Sequence, residues 1–255
     1  MGWLSTFTSL EGFIGRDPVR SEIVLAFRGS ESIRNWIADL TLSKTSVSTS
    51  FLELSDFLAI EKCSDTGLPV SNCEIHSGFN DAWEDISDDI YESIWSAFQT
   101  YPNHTLVVTG HSLGAAVGTI AAVHLREAGY PCDLYTFGSP RVGNEGFVQF
   151  IASQDGREYR VTHSDDPVPR SPPIDEPFGG LFGSFGGGYR HTSPEYWLTV
   201  EDGRYVPASS VTSENMVLCE GIDNEECNGG TGGFDISAHR YYFRNISACA
   251  PGFQI

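Results

Sequence analysis

Positive charge is scarce in this chain. Its 255 residues hold 15 Lys and Arg against 34 Asp and Glu, a formal net charge of −19, and only Lys44 and Lys62 are lysines. Nucleic-acid binding runs through clustered basic side chains that neutralise phosphates, so no nucleic-acid partner is expected. An anionic membrane would repel the chain as well. The acidic excess reads as charge that keeps a secreted protein in solution. Also missing is any run of about 20 apolar residues, the length that spans a bilayer, so no transmembrane segment is expected. No segment recurs, which favours one domain over residues 1–255. The six cysteines (Cys63, Cys73, Cys132, Cys219, Cys227 and Cys249) include no C-x-x-C pair, which argues against a zinc or thioredoxin-type site. The opening "MGWLSTFTS" shows no basic region followed by an apolar core, so no signal peptide is visible. It fits the loose myristoylation pattern M-G-x-x-x-[ST], but two sequons outweigh so short a match. Asn103-His104-Thr105 and Asn245-Ile246-Ser247 suit an oxidising, glycosylating route out of the cell.

What is present suits a packed core: 40% of residues are hydrophobic and 12% aromatic. "SEIVLAFRGS" (21–30) reads as a short buried strand ending in a glycine turn. In "ESIRNWIADL" (31–40) the residues Ile33, Trp36, Ile37 and Leu40 recur at helical spacing, an amphipathic stripe. Residues 41–75 are Ser/Thr-rich and read as irregular connections. A long helix is predicted over 77–102, with Ser77 as a possible N-cap and an acidic face of Asp81, Glu84, Asp85, Asp88 and Asp89. Further strands are predicted over 105–109, 132–140 and 157–166, with a helix over 113–129. Alternating strands and helices predict an α/β fold with a predominantly parallel sheet and helices on both faces. The Gly/Phe-rich stretch 176–190 reads as a long loop, and "EYWLTV" with "GRYVP" as a late hairpin.

The chemistry starts at Gly110-His111-Ser112-Leu113-Gly114, a G-x-S-x-G pattern with a strand before it and a helix after it. A sharp strand-to-helix turn lifts the serine hydroxyl clear of the backbone, and side chains two places away on either side would clash. The amide of Leu113 then stands at a helix N-terminus, where developing negative charge is favoured. A serine hydroxyl is a weak nucleophile until a base takes its proton and a third group orients that base. In such folds the acid follows the nucleophile and the histidine comes last. "RVTHSDDPVPR" offers Asp165 or Asp166, and only His191 and His239 follow it, with chain order favouring His239.

The segments "LAFRGSESIRNWIADL", "IHSGF", "VVTGHSLGAA", "FGSPRVGN", "RVTHSDDPVPR", "HTSPEYW" and "DISAHRYYF" run from about residue 20 to 249. In that order they resemble the fungal class 3 lipase family, the triacylglycerol lipases of filamentous fungi and their feruloyl esterase relatives. The resemblance implies the α/β-hydrolase fold and a triad of Ser112, Asp166 and His239. It implies an oxyanion hole from Leu113 and Ser30, and a helical lid over 32–40 carrying Ile33, Trp36, Ile37 and Leu40. Asp133, Asp165, His163 and His191 become structural or pocket-lining residues. Local disulfides Cys63–Cys73 and Cys219–Cys227 are implied, with Cys132 a free core thiol. The family opens with a long helix and bridges its N-terminal region to a cysteine matching Cys249. The chain is therefore expected to lack that segment, to leave the apolar run Trp3, Leu4 and Phe7 uncovered, to be poorly soluble or to associate through that face, and to leave Cys249 a free thiol.

The activity implied is a secreted triacylglycerol lipase that needs no metal or cofactor and meets its ester substrate at an oil–water interface. A feruloyl esterase and a catalytically silent lipid- or polysaccharide-binding relative are the alternatives. The apolar stripe at 32–40 favours the lipase, because it can bury in lipid when the helix swings open.

Overall fold

Side-chain alternation at every second residue builds the centre of the molecule. In the computed structural model, which describes residues 2–7, 12–29, 60–63, 68, 72–172, 174, 188–199, 208–222 and 224–246, the strand Glu22–Phe27 (β3) buries Ile23, Leu25 and Phe27. Thr105–His111 (β6) and Cys132–Phe137 (β7) alternate in the same way. They lie in one mixed sheet with Gly2–Phe7 (β1), Gly12–Asp17 (β2), Glu158–His163 (β8), Glu195–Leu198 (β9) and Met216–Cys219 (β10), in the order β1-β2-β3-β6-β7-β8-β9-β10. From β3 through β9 all neighbours are parallel; β1, β2 and β10 join antiparallel at the edges. The C-terminal ends of β6 and β8 therefore open on one edge of the sheet, where ligands bind in such folds.

Among the described residues, three α-helices cover one face. Ser77–Thr100 (α1) buries Phe79, Trp83, Ile86, Ile90, Ile94 and Ala97 along one stripe, and its five predicted acidic residues are exposed. Leu113–Glu127 (α2) is small-residue and buried nearly all round, because it is wedged between α1 and strands β3, β6 and β7. It ends two residues before the predicted boundary, where Gly129 at φ 86° turns the chain. Tyr130 N–H then bonds Leu125 O at 2.9 Å and Gly129 N–H bonds Arg126 O at 3.0 Å, the two bonds of a Schellman C-cap. Glu145–Ser153 (α3) buries Phe147, Val148 and Ile151. Side chains of α1, α2 and α3 share one core cluster with Ile23, Leu25, Leu106, Val108 and Leu134. Of the two helix-covered faces expected, the described residues supply this one. The other carries a cross-strand row of partly buried rings, Tyr135 stacked on Tyr159 at 4.5 Å and Tyr159 against Tyr196 at 5.8 Å.

Several sequence expectations are corrected. The N-cap of α1 is His76, with no side-chain cap bond, because the strand Glu74–His76 (β5) runs straight into the helix and leaves Ser77 inside it. Residues 41–75 are not wholly irregular: Ile60–Lys62 (β4) pairs antiparallel with β5, and the disulfide Cys63–Cys73 clamps that ribbon. The partner of β9 in the late hairpin is β10, not the "GRYVP" stretch, which lies outside the described residues. That pairing sets Cys219 opposite Glu195, and Cys219 bridges Cys227 eight residues on. Cys132 is buried and joins no disulfide, while Cys249 and the side chains of Trp3, Leu4 and Phe7 lie outside the described residues. Helix α3 was not expected from the sequence. Asn144 caps it by accepting from Phe147 N–H at 3.0 Å.

Burial lowers the pKa of His124, which lies 5.6 Å from the Trp83 ring, to about 4 from its ordinary 6.5. Below pH 6.5 the unfolded chain binds a proton that the folded chain refuses, so this residue subtracts stability as pH falls toward 4. His124→Phe keeps the stack and removes the proton uptake. Melting curves should show the variant losing less stability than the parent between pH 6.5 and about 4, and equal losses would contradict this.

Candidate active site

The turn between β6 and α2 holds Ser112 at φ 58° and ψ −127°, a conformation L-residues rarely adopt. Its backbone is pinned on both sides. Ser112 N–H donates to Phe137 O at 2.9 Å, and its carbonyl accepts from Ala115 N–H at 2.9 Å and Ala116 N–H at 3.2 Å. The two glycines allow the turn to close. A Cβ at Gly110 would fall on the Gly114 carbonyl, and one at Gly114 would stand 2.5 Å from Phe27 O. Leu113 is the first residue of α2, so its amide has no acceptor within the helix. Ser30 and the stripe Ile33, Trp36, Ile37 and Leu40 lie outside the described residues.

His239 arrives from far along the chain on the 3-10 turn Ala238–Arg240. Its Nε2 lies 2.7 Å from Ser112 Oγ, across 127 residues of sequence, and its Nδ1 lies 2.8 Å from Asp166 Oδ2. A carboxylate only accepts, so Nδ1 carries the proton and Nε2 is left as the acceptor facing the serine hydroxyl. That tautomer is the one a general base requires. The acid beside His239 is Asp166. Asp165 instead uses its carbonyl to accept from Asp235 N–H at 3.1 Å, with its carboxylate beside Gly233. His191 stands apart from the serine. It is half-buried, with Nε2 2.6 Å from Pro169 O, and desolvation of the ring, reinforced by the charges of Arg160 and Arg141, holds its pKa well below 6.5. Asp133 pairs with Arg157 at 2.6 Å on the surface.

Asp166 has no exposed surface, and an isolated buried carboxylate is costly. Three donors satisfy it: the His239 ring, Tyr242 Oη–H at 2.6 Å on the same Oδ2, and Val168 N–H at 2.9 Å on Oδ1. Burial, then the nearby Asp166 charge, raises the Tyr242 pKa well above 10, so the phenol remains a donor. Gly138, at φ 56°, leaves room for this junction. A Cβ there would come within 2.9 Å of Asp166 Oδ2 and 3.0 Å of His239 Nδ1.

Further side chains, none of them anticipated from the sequence in these roles, tie the segment carrying His239 to the acid loop. Asn228 Nδ2 donates to Ser164 O and Asp166 O, each at 3.0 Å. The Arg170 guanidinium donates to the carbonyls of Thr231 and Gly233. His111, the residue before the serine, lies 2.7 Å through Nε2 from His239 O, and His163 lies 3.1 Å through Nδ1 from Ala238 O. Burial, then the charge of His239, pushes the His111 pKa down to about 3, so its ring stays neutral beside His239. The only sequence signal for these was proximity: His111 inside the serine motif, Tyr242 one helical turn after the histidine. The sequon residues Asn103 and Asn245 are both exposed, the first at the far end of β6 from Ser112.

The class 3 lipase model matches residues 24–176. A secreted mono- and diacylglycerol lipase of Fusarium solani is 44% identical over 248 residues, covering 97% of this chain and 64% of its own length. A secreted mono- and diacylglycerol lipase of Penicillium camembertii is 37% identical, with 96% of this chain and 69% of its own length covered. The crystal structure of the mono- and diacylglycerol lipase from Aspergillus oryzae superposes with a TM-score of 0.71 at 34% identity, covering 97% of this chain and 81% of that one. The chain thus spans a little under two thirds of the Fusarium relative. With its central parallel strands and the serine turn at their C-terminal edge, the chain has the α/β-hydrolase fold, and it belongs to the class 3 lipase family.

Proposed function

We propose that this chain is the catalytic domain of a secreted lipase, a carboxylic ester hydrolase that cleaves acylglycerols through an acyl-enzyme on Ser112. The observation that carries the reading is the unbroken hydrogen-bonded path from Ser112 Oγ through His239 to Asp166, at 2.7 and 2.8 Å. His239 Nε2 takes the hydroxyl proton as Ser112 Oγ attacks the ester carbonyl carbon. Asp166 stabilises the imidazolium that forms, and His239 then returns the proton to the leaving alcohol oxygen. Water repeats the sequence on the acyl-enzyme, releasing the fatty acid and regenerating the serine. The Leu113 amide at the start of α2 and the Ser30 amide and hydroxyl receive the oxyanion. Loss of one such donor costs about 2.7–4 kcal/mol of barrier.

Residues 32–40 form the lid in this reading. In water, covering the serine with Ile33, Trp36, Ile37 and Leu40 removes apolar area at roughly 25 cal/mol per Å². At an oil surface the stripe buries in lipid instead, so the helix opens there. The names of the Fusarium and Penicillium relatives support acylglycerols as substrates and an extracellular location. Two disulfides and the exposed sequon residues Asn103 and Asn245, read here as glycosylation sites, suit that location.

Ser112→Ala and His239→Ala should each remove nearly as much ester hydrolysis as the double variant, because triad members act as a unit. Asp166→Asn should lower kcat by about 10⁴-fold through the wrong tautomer, while Asp165→Asn should change it little. A dead Asp165→Asn beside an active Asp166→Asn would contradict the assignment of the acid.

Emulsified triolein should be hydrolysed far faster than methyl ferulate, with a rise in rate once lipid exceeds its solubility. Preference for methyl ferulate would favour the feruloyl esterase reading. Activity on neither, nor on emulsified diolein, would sink both.

A further inference from the structure

The triad poses a mechanical problem. Ser112 and Asp166 follow the ends of β6 and β8, which are fixed by the sheet ladder. His239 sits on a three-residue 3-10 turn, in a segment that joins no strand of that sheet. Yet its ring must stay within hydrogen-bond reach of both. A misplacement of about 1 Å costs on the order of 100-fold in rate.

The turn presents two successive main-chain carbonyls, Ala238 O and His239 O, and each meets an imidazole, the buried ring of His163 and the half-buried ring of His111. His111 Nε2 is 2.7 Å from His239 O, and His163 Nδ1 is 3.1 Å from Ala238 O. A carbonyl only accepts, so each of these ring nitrogens carries a proton. The donors come from the two strands that carry the reaction partners. His111 is the last residue of β6, next to Ser112, and His163 is the last residue of β8, three before Asp166. The rings of His111 and His239 also lie 4.5 Å apart, centroid to centroid. Whatever shifts β6 or β8 shifts a donor and a reaction partner together, and the turn follows.

We propose that His111 and His163 are positioning residues that register the His239 turn to the strands bearing the nucleophile and the acid, each through one imidazole N–H on one carbonyl. The inference rests on the Ser112–His239–Asp166 reading. Its requirement is geometric and differs between the two sites, because His111 donates from the far ring nitrogen and His163 from the near one. A glutamine amide reaches about where Nε2 stands, and an asparagine amide about where Nδ1 stands.

The test compares His111→Leu, His111→Gln, His111→Asn and the same three changes at residue 163, assayed on a short-chain p-nitrophenyl ester beside Ser112→Ala. Both leucine variants should lose kcat by on the order of 10- to 100-fold with KM changed less than about twofold. His111→Gln and His163→Asn should regain most of that loss, while His111→Asn and His163→Gln should not. This crossed pattern separates positioning from mere filling of space, and it survives even where a leucine variant fails to fold. Equal activity of matched and mismatched amides, or leucine variants with unchanged kcat, would overturn the clamp while Ser112→Ala stays dead. Hydrolysis persisting in Ser112→Ala would instead overturn the underlying triad, and the clamp with it.

Discussion

Among the described residues, the segment from Asn228 to Tyr242 is tied to one fully buried carboxylate loop, that of Asp166. Asp166 has no access to water, and moving a carboxylate out of water carries an effective penalty of several kcal/mol unless its oxygens are bonded. Its own loop supplies one donor, the Val168 amide, and the segment around residue 240 supplies the other two, His239 and Tyr242. The charge therefore does two things. It brings a distant, irregular segment to the sheet edge, and it holds the Nδ1–H of His239 toward the carboxylate so that Nε2 remains free for the serine. Folding of the tail and preparation of the base are the same interaction seen from two sides.

Ser112, the proposed nucleophile, depends on a second constraint, which is steric. Ser112 is held in a rarely populated backbone conformation because β6 must turn into α2 without a connecting loop. That turn closes only where Gly110 approaches Gly114 and Gly114 approaches the end of β3. The bond that Ser112 N–H donates to Phe137 O and those its carbonyl accepts from the Ala115 and Ala116 amides hold the strain in place. Rigid strands thus fix the serine and the acid, and side chains from those strands reach out to the base. Asn228 and Arg170 add further ties between the acid loop and the segment on which the base rides.

The parts of this design set by local periodicity were legible in the sequence. Alternation in "EIVLAF" and "TLVV", helical spacing from Phe79 to Ala97, and glycines flanking Ser112 follow from rules that act within a few residues. The local disulfides were implied by the family resemblance and are present. What escaped is set by contacts across long sequence separations. Helix α3 is only nine residues long, too short for its apolar residues to declare a helical period, and its cap, Asn144, acts through one local bond to Phe147 N–H. Strand β10 is four residues long and acquires its identity by pairing with β9. The roles of Tyr242, His111 and His163 depend on partners up to 128 residues away, so no local pattern reveals them.

The central claim, that Ser112 is the nucleophile activated by His239, is tested most directly by covalent trapping. Treatment with diethyl p-nitrophenyl phosphate should release one p-nitrophenolate per chain, and peptide mass spectrometry should find the diethylphosphoryl group on Ser112 alone. The His239→Ala variant should label far more slowly under the same conditions. Stoichiometric labelling of another residue, or labelling of Ser112 at an unchanged rate without His239, would contradict the account.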